Sequence, residues 1–497
     1  MTTGRDEDAR GHEAGAHGVG VGRREVLLGG GASLAAAAAG LALAEPGGTA
    51  AAAAEPQKPN ILYIMADDLG WQDLGFRGSD IRTPNLDALA KTGAEIEEFY
   101  VQPMCTPTRA ALMTGRYPLR YGLQMGAIPS GGRYGLATDE FLLSQGLREA
   151  GYDTALVGKW HLGHFDPEYW PCQRGFDHFY GPLLGEIDHF THEAHGVNDW
   201  YRDNKPVEEQ GYDTTLFGNE AVRLIETRDG EKPLFLYLAF TAPHTPYQAP
   251  EEYLAQYSSI ADPYRRAYAA MITAMDEEIG RVVAALEAKG MRENTLIVFH
   301  SDNGGTRSAK FTGESAVKGP LPPSNGPYRG GKGTLYEGGT LVGAVANWPG
   351  KIRPGRVAGL LHIVDFFPTL LGIAGARAGN EKPLDGMDAW ATVSEGAPSP
   401  RNGLVYNVDP LMGAVREGPT KLIWVAMLPP RIELFDLASD PYEKESVAEQ
   451  NPAQVKALQE RITALATEMQ EPLVLKDVLQ LVLTTAPSTP AEYFVDS

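Results

Sequence analysis

A cysteine and an arginine are spaced in this chain so that both could face a bound tetrahedral anion. Cys105 opens the segment CTPTRAALMTG, and Pro107 and Arg109 follow two and four residues later. Proline suits the first turn of a helix, so Cys105 would lie at the positive helix end, among backbone N–H groups that bind anions. Arg109 would lie one turn later on the same face, with a planar fork that matches a tetrahedral oxyanion. The segment predicts an anion-binding helix start that carries a cysteine.

Two short apolar runs are each followed by a pair of oxygen-bearing polar residues. Asp67 and Asp68 follow NILYIMA, and Asp302 and Asn303 follow TLIVFHS. Acidic pairs are often only solvated turn residues, but two pairs at equivalent strand ends of one sheet favour a shared site. Three carboxylates and an amide oxygen are ligands that suit Ca²⁺ or Mg²⁺ and not zinc.

Two lysines and two histidines stand in similar positions. Lys159 and His161 belong to GKWHLG, where a strand-like conformation would place both side chains on one face. His244 lies between prolines in TAPHTP, a rigid turn suited to presenting one imidazole. Lys332 is flanked by glycines in GGKGTLYEGG, which allow close backbone approach to a ligand. Taken singly, each of these residues is as well explained by a structural or solvated role.

Apolar runs that end in polar residues alternate with helical patterns over the first three quarters of the chain. These runs are NILYIMADD, DTALVGKWHLG, PLFLYLAFTAPHTP and TLIVFHSDNGG. Helices are predicted from an Asp139 N-cap to Gly151, and over residues 264–290 with Gly290 as the stop. The alternation predicts an α/β fold with a large, mainly parallel sheet flanked by helices, and ligands at the carboxyl ends of its strands.

The pattern changes after about residue 375. Short alternating runs predict an antiparallel sheet, and a helix is predicted from Pro452, with Asn451 as its N-cap. One stripe of this helix is apolar, formed by Val455, Leu458, Ile462 and Leu465. We therefore predict a catalytic domain over residues 59–375 and a smaller C-terminal α+β subdomain over residues 376–497.

Charge and cysteine content exclude some classes of protein. The 497 residues carry a formal net charge of -21, and no long basic run is present, which argues against nucleic-acid binding. Cys105 and Cys172 are the two cysteines, so the fold is not held by a set of disulfides. A bridge between them is the alternative that would remove the thiol at residue 105 from any chemistry.

The string CTPTRAALMTGRYP resembles the signature of the type I, formylglycine-dependent sulfatase family. The resemblance extends from NILYIMADD to LFDLASDPYE, and RGFDHFYGPLLGEIDHFTHE is most similar to the arylsulfatase B branch, which acts as N-acetylgalactosamine 4-sulfatase. It implies an alkaline-phosphatase-like fold. It also implies hydrolysis of aryl or carbohydrate sulfate monoesters to an alcohol and inorganic sulfate through a sulfated formylglycine.

The resemblance further implies roles for individual residues. A formylglycine-generating enzyme would oxidise Cys105 during maturation, and Ca²⁺, with Mg²⁺ as the alternative, would be held by Asp67, Asp68, Asp302, Asn303 and the modified Cys105. His244 would protonate the leaving alcohol, and His161, assisted by Lys159, would take the proton that lets sulfate depart. Arg109 would hold the modified residue, and the sulfated substrate would contact Lys159, His244, Lys332 and Thr191. Thr191 stands where the family often has serine.

The N-terminus resembles an export signal. Arg23 and Arg24 precede a mildly apolar stretch rich in glycine and alanine, with cleavage options after Ala44 or Ala54. This predicts a twin-arginine signal over residues 1–44, a linker over 45–58, and a periplasmic or extracellular protein. A membrane anchor is the alternative, although the Gly/Ala content makes a poor permanent span.

Two other functions use the same residues. A phosphate or phosphonate monoester hydrolase of the same superfamily could use this constellation, because both transferred groups are tetrahedral oxyanions. A non-catalytic, metal-bearing protein that binds sulfated glycans would keep Cys105 as a thiol.

Overall fold

A mixed β-sheet forms the centre of the computed structural model, which describes residues 57–309, 316–379 and 382–485. The predicted signal peptide and nearly all of the predicted linker lie outside these residues. In chain order the described strands are β1 (Asn60–Ala66), β2 (Ala94–Tyr100), β3 (Asp153–Gly158), β4 (His178–Gly181), β5 (Glu193–Ala194), β6 (Val197–Asn198), β7 (Tyr201–Arg202), β8 (Lys205–Pro206), β9 (Leu234–Ala239), β10 (Thr295–Ser301), β11 (Leu341–Asn347), β12 (Gly355–Val357), β13 (Leu361–His362), β14 (Gly403–Val408), β15 (Met412–Glu417), β16 (Thr420–Val425) and β17 (Arg431–Asp436).

The central sheet has the strand order β12-β2-β11-β10-β1-β9-β3-β4-β7-β8, and β13 also pairs with β2. Strands β10, β1, β9, β3 and β4 run parallel to one another. Strand β11 runs antiparallel to both of its neighbours. The sheet is thus mixed, with a parallel centre, as the sequence predicts.

The four apolar runs with polar ends are neighbours in this sheet, in the order β10-β1-β9-β3. Their parallel direction brings all four carboxyl ends to one edge. Ala66 pairs with Ser301, so Asp67 and Asp302 leave the sheet side by side. Met65 pairs with Ala239, and Gly158 with the same Ala239, so the ends of β9 and β3 adjoin them.

Both faces of the sheet are covered. Alternate residues of β1 belong to two separate apolar clusters, with Ile61, Tyr63 and Met65 on one face and Leu62, Ile64 and Ala66 on the other. The described α-helices are α1 (Pro84–Thr92), α2 (Cys105–Thr114), α3 (Leu143–Glu149), α4 (Asp213–Glu226), α5 (Glu251–Gln256), α6 (Pro263–Ala288), α7 (Glu337–Thr340), α8 (Phe366–Ile373), α9 (Trp390–Glu395), α10 (Pro452–Glu468) and α11 (Leu473–Thr485). Helices α2, α3 and α8 cover the first face, and α1, α4 and α6 cover the second.

The predicted end of one helix agrees with the structure, and the predicted start of another does not. Helix α6 ends at Ala288, and Gly290 has the left-handed φ of 72° that stops it, as predicted. Helix α3 begins at Leu143, so the prediction of an Asp139 N-cap is wrong. Asp139 instead forms an ion pair with Lys382 at 2.8 Å, and the Gln145 side chain accepts the Leu142 N–H at the helix start.

The C-terminal region contains the predicted antiparallel sheet, β14-β15-β16-β17, and the predicted helix α10. Leu458 and Ile462 of α10 are buried, and Val455 and Leu465 pack beside them. Asn451 occupies the N-cap position, but its side chain donates to the Val447 carbonyl and caps nothing.

The small sheet shares an apolar cluster with the central one, because Leu404 and Tyr406 pack with Tyr100 and Leu341. The domain boundary at residue 375 stays a prediction. Among residues 57–309, 316–379 and 382–485, no helix has both the length and the apolar character that crossing a bilayer requires.

Candidate active site

Cys105 is the first residue of α2, directly behind Met104 in extended conformation. The whole helix is buried, and Cys105 itself is 1% exposed. The next residue anchors this helix end: the Thr106 hydroxyl donates to the His161 carbonyl at 2.9 Å and accepts the Ile128 N–H at 3.1 Å. The thiol therefore sits at a fixed point where free helical N–H groups converge.

Three carboxylates meet at this thiol. One oxygen each from Asp67, Asp68 and Asp302 lies within 4.8 Å of the others and of the Cys105 Sγ. The distance from Sγ to Asp67 Oδ1 is 3.5 Å. Asp68 reaches the group with a φ of 63°, a left-handed conformation that is uncommon for a residue with a side chain. Strain of this kind is often retained where a site requires it.

Three cations lie among the carboxylates. Arg109 donates to Asp302 Oδ2 from Nε at 3.1 Å and from Nη2 at 2.9 Å. Lys332 Nζ donates to Asp68 Oδ2 at 2.6 Å, and Lys159 Nζ donates to Asp67. The six side chains carry three negative and three positive formal charges, so the set of six is neutral before any ion binds.

The neighbours set the proton affinities of these carboxyls. Burial and the adjacent Asp67 raise the pKa of Asp302 to about 6. Burial would also raise the pKa of Asp68, but the charge of Lys332 and the hydrogen bond from its ammonium hold that pKa well below its usual value. Burial and the two carboxylates Asp302 and Asp67 raise the pKa of the Cys105 thiol well above its usual value. In this form Cys105 is a thiol and not a thiolate nucleophile.

The donor set fits a hard divalent cation. Asn303 Nδ2 donates to Asp68 Oδ1 at 2.7 Å, which turns the amide oxygen Oδ1 the other way. Among the described residues, that buried oxygen has no hydrogen-bond partner, a costly state unless a cation binds it. Carboxylate and amide oxygens are the ligands that Ca²⁺ and Mg²⁺ take. Asp67, Asp68, Asp302 and Asn303 could hold such an ion.

His244 stands beside this cluster, with Nε2 at 3.0 Å from Lys332 Nζ and 3.5 Å from Asp68 Oδ2. Its Nδ1 bonds to the Thr245 carbonyl at 2.8 Å, which requires a proton on Nδ1 and leaves Nε2 as the acceptor. Burial and the Lys332 charge lower the pKa of His244 to about 4. The imidazole is therefore neutral in the substrate-free protein.

His161 presents a different ring nitrogen. Its Nε2 bonds to the Ile128 carbonyl at 3.0 Å, and its buried Nδ1 finds no partner in the part of the chain that the structure describes. Burial, followed by the Lys159 charge, lowers the pKa of His161 well below its usual value, so Nδ1 is a free acceptor. A Cβ atom at Gly185 would come 2.1 Å from this ring, so only glycine allows the ring to lie there.

These groups surround one cavity of about 300 Å³. Its lining includes Cys105, His161, His244 and Lys332, together with the half-buried Glu186. Arg109 and Lys159 are fully buried and do not line the cavity, so both act from behind its wall. The arrangement is a concave anion site with a cation site at its base.

Comparisons with known proteins identify the family of this chain. The sulfatase family profile matches residues 59–376. Arylsulfatase J of Mus musculus is 40% identical over 377 residues, 74% of this chain and 61% of that protein. N-acetylgalactosamine-6-sulfatase of Mus musculus is 35% identical, over 73% of this chain and 71% of that protein. The chain belongs to the sulfatase family.

Two solved structures extend the comparison. The structure of Ps i-CgsB in complex with k-i-k-neocarrahexaose superposes with a TM-score of 0.77 at 33% identity, over 87% of this chain and 98% of that one. Phosphonate monoester hydrolase of Agrobacterium radiobacter superposes with a TM-score of 0.60 at 21% identity, over 83% and 96%, which shows a shared fold alone. The predictions of family and fold are confirmed, and the arylsulfatase B branch stays a prediction.

The structure brings together all but one of the site residues predicted for this sulfatase. Thr191 lies exposed and outside the cavity lining, with its backbone N–H bonded to Asp188 Oδ1. The strand-like conformation predicted for Lys159 and His161 is wrong, because β3 ends at Gly158 and His161 has a φ of 57°. Both side chains nevertheless reach the site, because Lys159 donates to Asp67 and His161 lines the cavity. Cys105 and Cys172 are both free, so the alternative disulfide is not formed.

Three further residues of this sulfatase were missed by the sequence analysis. The Thr306 hydroxyl donates to Asp68 Oδ2 at 3.1 Å, and Glu186 lines the cavity. His189 is buried and joins Asp213 to the His244 carbonyl, at 2.8 and 3.1 Å. Glu186 and His189 lie in the motif GEIDHFTH, which also contains Thr191. For Glu186 and His189, the available signal was a titratable side chain inside a motif that the family shares.

Proposed function

We propose that this sulfatase hydrolyses sulfate monoesters of aryl or carbohydrate alcohols, and that it does so with Cys105 converted to formylglycine. The observation that carries the proposal is the position of Cys105. It combines a helix N-terminus, three carboxylates suited to a cation, and a cavity lined by Lys332, His244 and His161. The named relatives, which include an arylsulfatase and a hexosamine sulfatase, support the substrate class.

The charge of the site supports an anionic substrate. The six buried side chains described above sum to zero, so a divalent cation at Asp67, Asp68, Asp302 and Asn303 would give the base of the cavity a net charge of about +2. Calcium is the proposed ion and magnesium the alternative, since oxygen ligands suit both. A bound cation would favour the ionised form of an adjacent hydroxyl.

Formylglycine would supply, as its hydrate, one hydroxyl to attack sulfur and a second whose deprotonation releases sulfate. The residues of this chain are placed to manage the protons and charge. Lys332 and His244 face the cavity together, and an anionic sulfate there would raise the affinity of His244 for the proton that the leaving alcohol needs. His161 offers the unprotonated Nδ1 as a base, and Lys159 and Arg109 fix the carboxylates from behind.

The test is the chemical state of residue 105 together with sulfate release. Trypsin would release residues 92–109, and the aldehyde form of that peptide is lighter than the thiol form and reacts with a hydrazide. We expect the aldehyde in protein that releases sulfate from an aryl sulfate, and an unmodified thiol at Cys172. Protein that carries only the thiol at residue 105 and still hydrolyses the ester would overturn the proposal.

The phosphonate hydrolase alternative makes a different prediction from the same protein. Rates on an aryl sulfate and the matching aryl phosphate, measured in parallel, separate the two functions. A glycan-binding protein without catalysis would retain the thiol and release no sulfate.

Removal of the cation is expected to lower both stability and activity. Without the ion, the buried carboxylate cluster loses the ligand contacts that a cation would make with it, and the buried Asn303 Oδ1 keeps no partner among the described residues. An ion present at a hundred times its dissociation constant would add about 2.7 kcal/mol to the free energy of unfolding. We therefore expect a lower thermal midpoint after dialysis against a chelator, with recovery on adding Ca²⁺ or Mg²⁺. A thermal midpoint that neither the chelator nor the added ion changes would contradict a cation at this site.

We also propose that residues 1–44 direct export through the twin-arginine route. The support is the Arg23-Arg24 pair before a weakly apolar stretch. This route carries folded proteins, so a formylglycine-generating enzyme in the cytoplasm could act on Cys105 before export.

A further inference from the structure

One carboxylate that does not belong to the cation cluster lines the cavity. Glu186 is half-buried and lines the same cavity as Cys105, His244 and Lys332. Asp67, Asp68 and Asp302 each have a lysine or arginine partner. Within the described part of the chain, the hydrogen bond found for the Glu186 side chain is a weak one, from the Thr245 hydroxyl at 3.5 Å. Its oxygens retain capacity to accept bonds from a ligand.

The backbone that carries Glu186 is held in place. The Leu184 N–H donates to the buried Asp199 carboxylate at 2.8 Å, and the Leu183 carbonyl accepts the His161 N–H at 3.1 Å. The intervening Gly185 lies against the His161 ring. Glu186 therefore projects from a segment that also positions a proposed catalytic residue, and not from a loose loop.

The position of Glu186 relates it to the alcohol part of the substrate. Thr245, its hydrogen-bond partner, follows His244, the proposed proton donor to the leaving oxygen. The rest of this rim is mixed, with Ser130 and His195 as polar groups and Ile128 and Leu184 as apolar ones. A sugar ring, with hydroxyls and a carbon face, matches such a lining in chemical character.

We infer that Glu186 selects the alcohol on which this enzyme acts. It accepts a hydrogen bond from a neutral hydroxyl or amide N–H next to the scissile ester, and it repels a second anionic group at that place. An ionised carboxylate can only accept hydrogen bonds, so a neighbouring sulfate or carboxylate on the substrate would leave two like charges facing each other. The substrate class is thus a sugar monosulfate with neutral neighbours. This inference rests on the proposed sulfatase activity.

The test compares two substrates on one protein. Wild type, Glu186→Gln and Glu208→Gln are prepared in the aldehyde form and assayed on an N-acetylhexosamine monosulfate and on the same sugar with a second sulfate beside the first. Glutamine keeps the size of the side chain and removes its charge. Glu208 is exposed and outside the cavity, so its variant serves as the matched control. A ratio of kcat/KM values on one variant cancels losses from partial misfolding.

We expect the wild type to prefer the monosulfate, and Glu186→Gln to lower that preference by about tenfold, since a like-charge contact is removed. On an aryl sulfate without hydroxyls, kcat/KM of Glu186→Gln should change by less than its ratio between the two sugar sulfates, and Glu208→Gln should match wild type throughout. A preference unchanged in Glu186→Gln, with hydrolysis intact, would overturn this inference alone. No hydrolysis of any sulfate ester by the aldehyde form would overturn the proposed function, and this inference with it.

Discussion

Alanine at position 105 is expected to lower sulfate release by at least about a thousandfold, because no other group at the helix start can become the proposed nucleophile. The fold should be retained, since the side chain is small and α2 is packed along its whole length. The carboxylates and Asn303 also remain, so the cation-dependent shift of the thermal midpoint should persist. Sulfate release and thermal unfolding, measured on the same preparation, check both expectations.

Cys172→Ala is the matched control for this substitution. Cys172 is half-buried in a short 3-10 helix, Pro171–Gln173, and does not line the cavity. Its replacement should leave sulfate release close to that of wild type. Comparable release from Cys105→Ala, or an equal loss in Cys172→Ala, would show that residue 105 has no special part in the reaction.

Arg109→Met is expected to lower the free energy of unfolding by about 3–5 kcal/mol, the usual cost of removing one partner from a buried ion pair. Both Arg109 and Asp302 are fully buried, and Asp67 lies 3.6 Å from the same guanidinium. Methionine fills much of the volume but leaves two carboxylates without their shared cation. Denaturant unfolding in the presence of a chelator measures the loss, and exposed Arg82→Met is the control.

The loss should depend on pH. Burial and Asp67 already raise the pKa of Asp302 to about 6 with Arg109 present, and removing the guanidinium raises it further. A carboxyl whose pKa is raised in the folded state destabilises the protein when ionised, so the deficit should shrink as the pH falls through that pKa. A deficit that grew with acidity, or a variant as stable as wild type, would contradict this account of the buried cluster.

The sequence was sufficient to predict those site residues that directly follow strands of the central sheet. Asp67, Asp68, Asp302 and Asn303 follow two apolar runs, and the parallel pairing of β1 with β10 brings their ends together. The start of α2 was predictable from a local signal, because Pro107 marks the first turn of a helix. Local pattern and sheet topology are sufficient in these places.

Where loops determine the site, local pattern was insufficient. His161 reaches the cavity because its own backbone is left-handed and because Gly185 leaves room for its ring. Sequence periodicity reveals neither feature. The motif predicted that Thr191 contacts the substrate. In the structure His189, two residues earlier in the same motif, bonds to the His244 carbonyl. The N-cap expected at Asp139 failed because α3 begins only at Leu143, and Asp139 forms an ion pair with Lys382, far along the chain. Each of these outcomes depends on a partner distant in sequence.

Strand β10 occupies the middle of the sheet, between β1 and β11, although it ends only at Ser301. During translation the ribosome releases β1 and α2 long before β10, Asp302 and Lys332 exist. Throughout that interval β1 has an open edge, and the sulfur of Cys105 is accessible to any enzyme that oxidises it. Cys105 in the completed protein is 1% exposed, so this interval ends once the residues around Cys105 have folded over it. If Cys105 is the catalytic residue that we propose, the order of synthesis sets the time available for its modification.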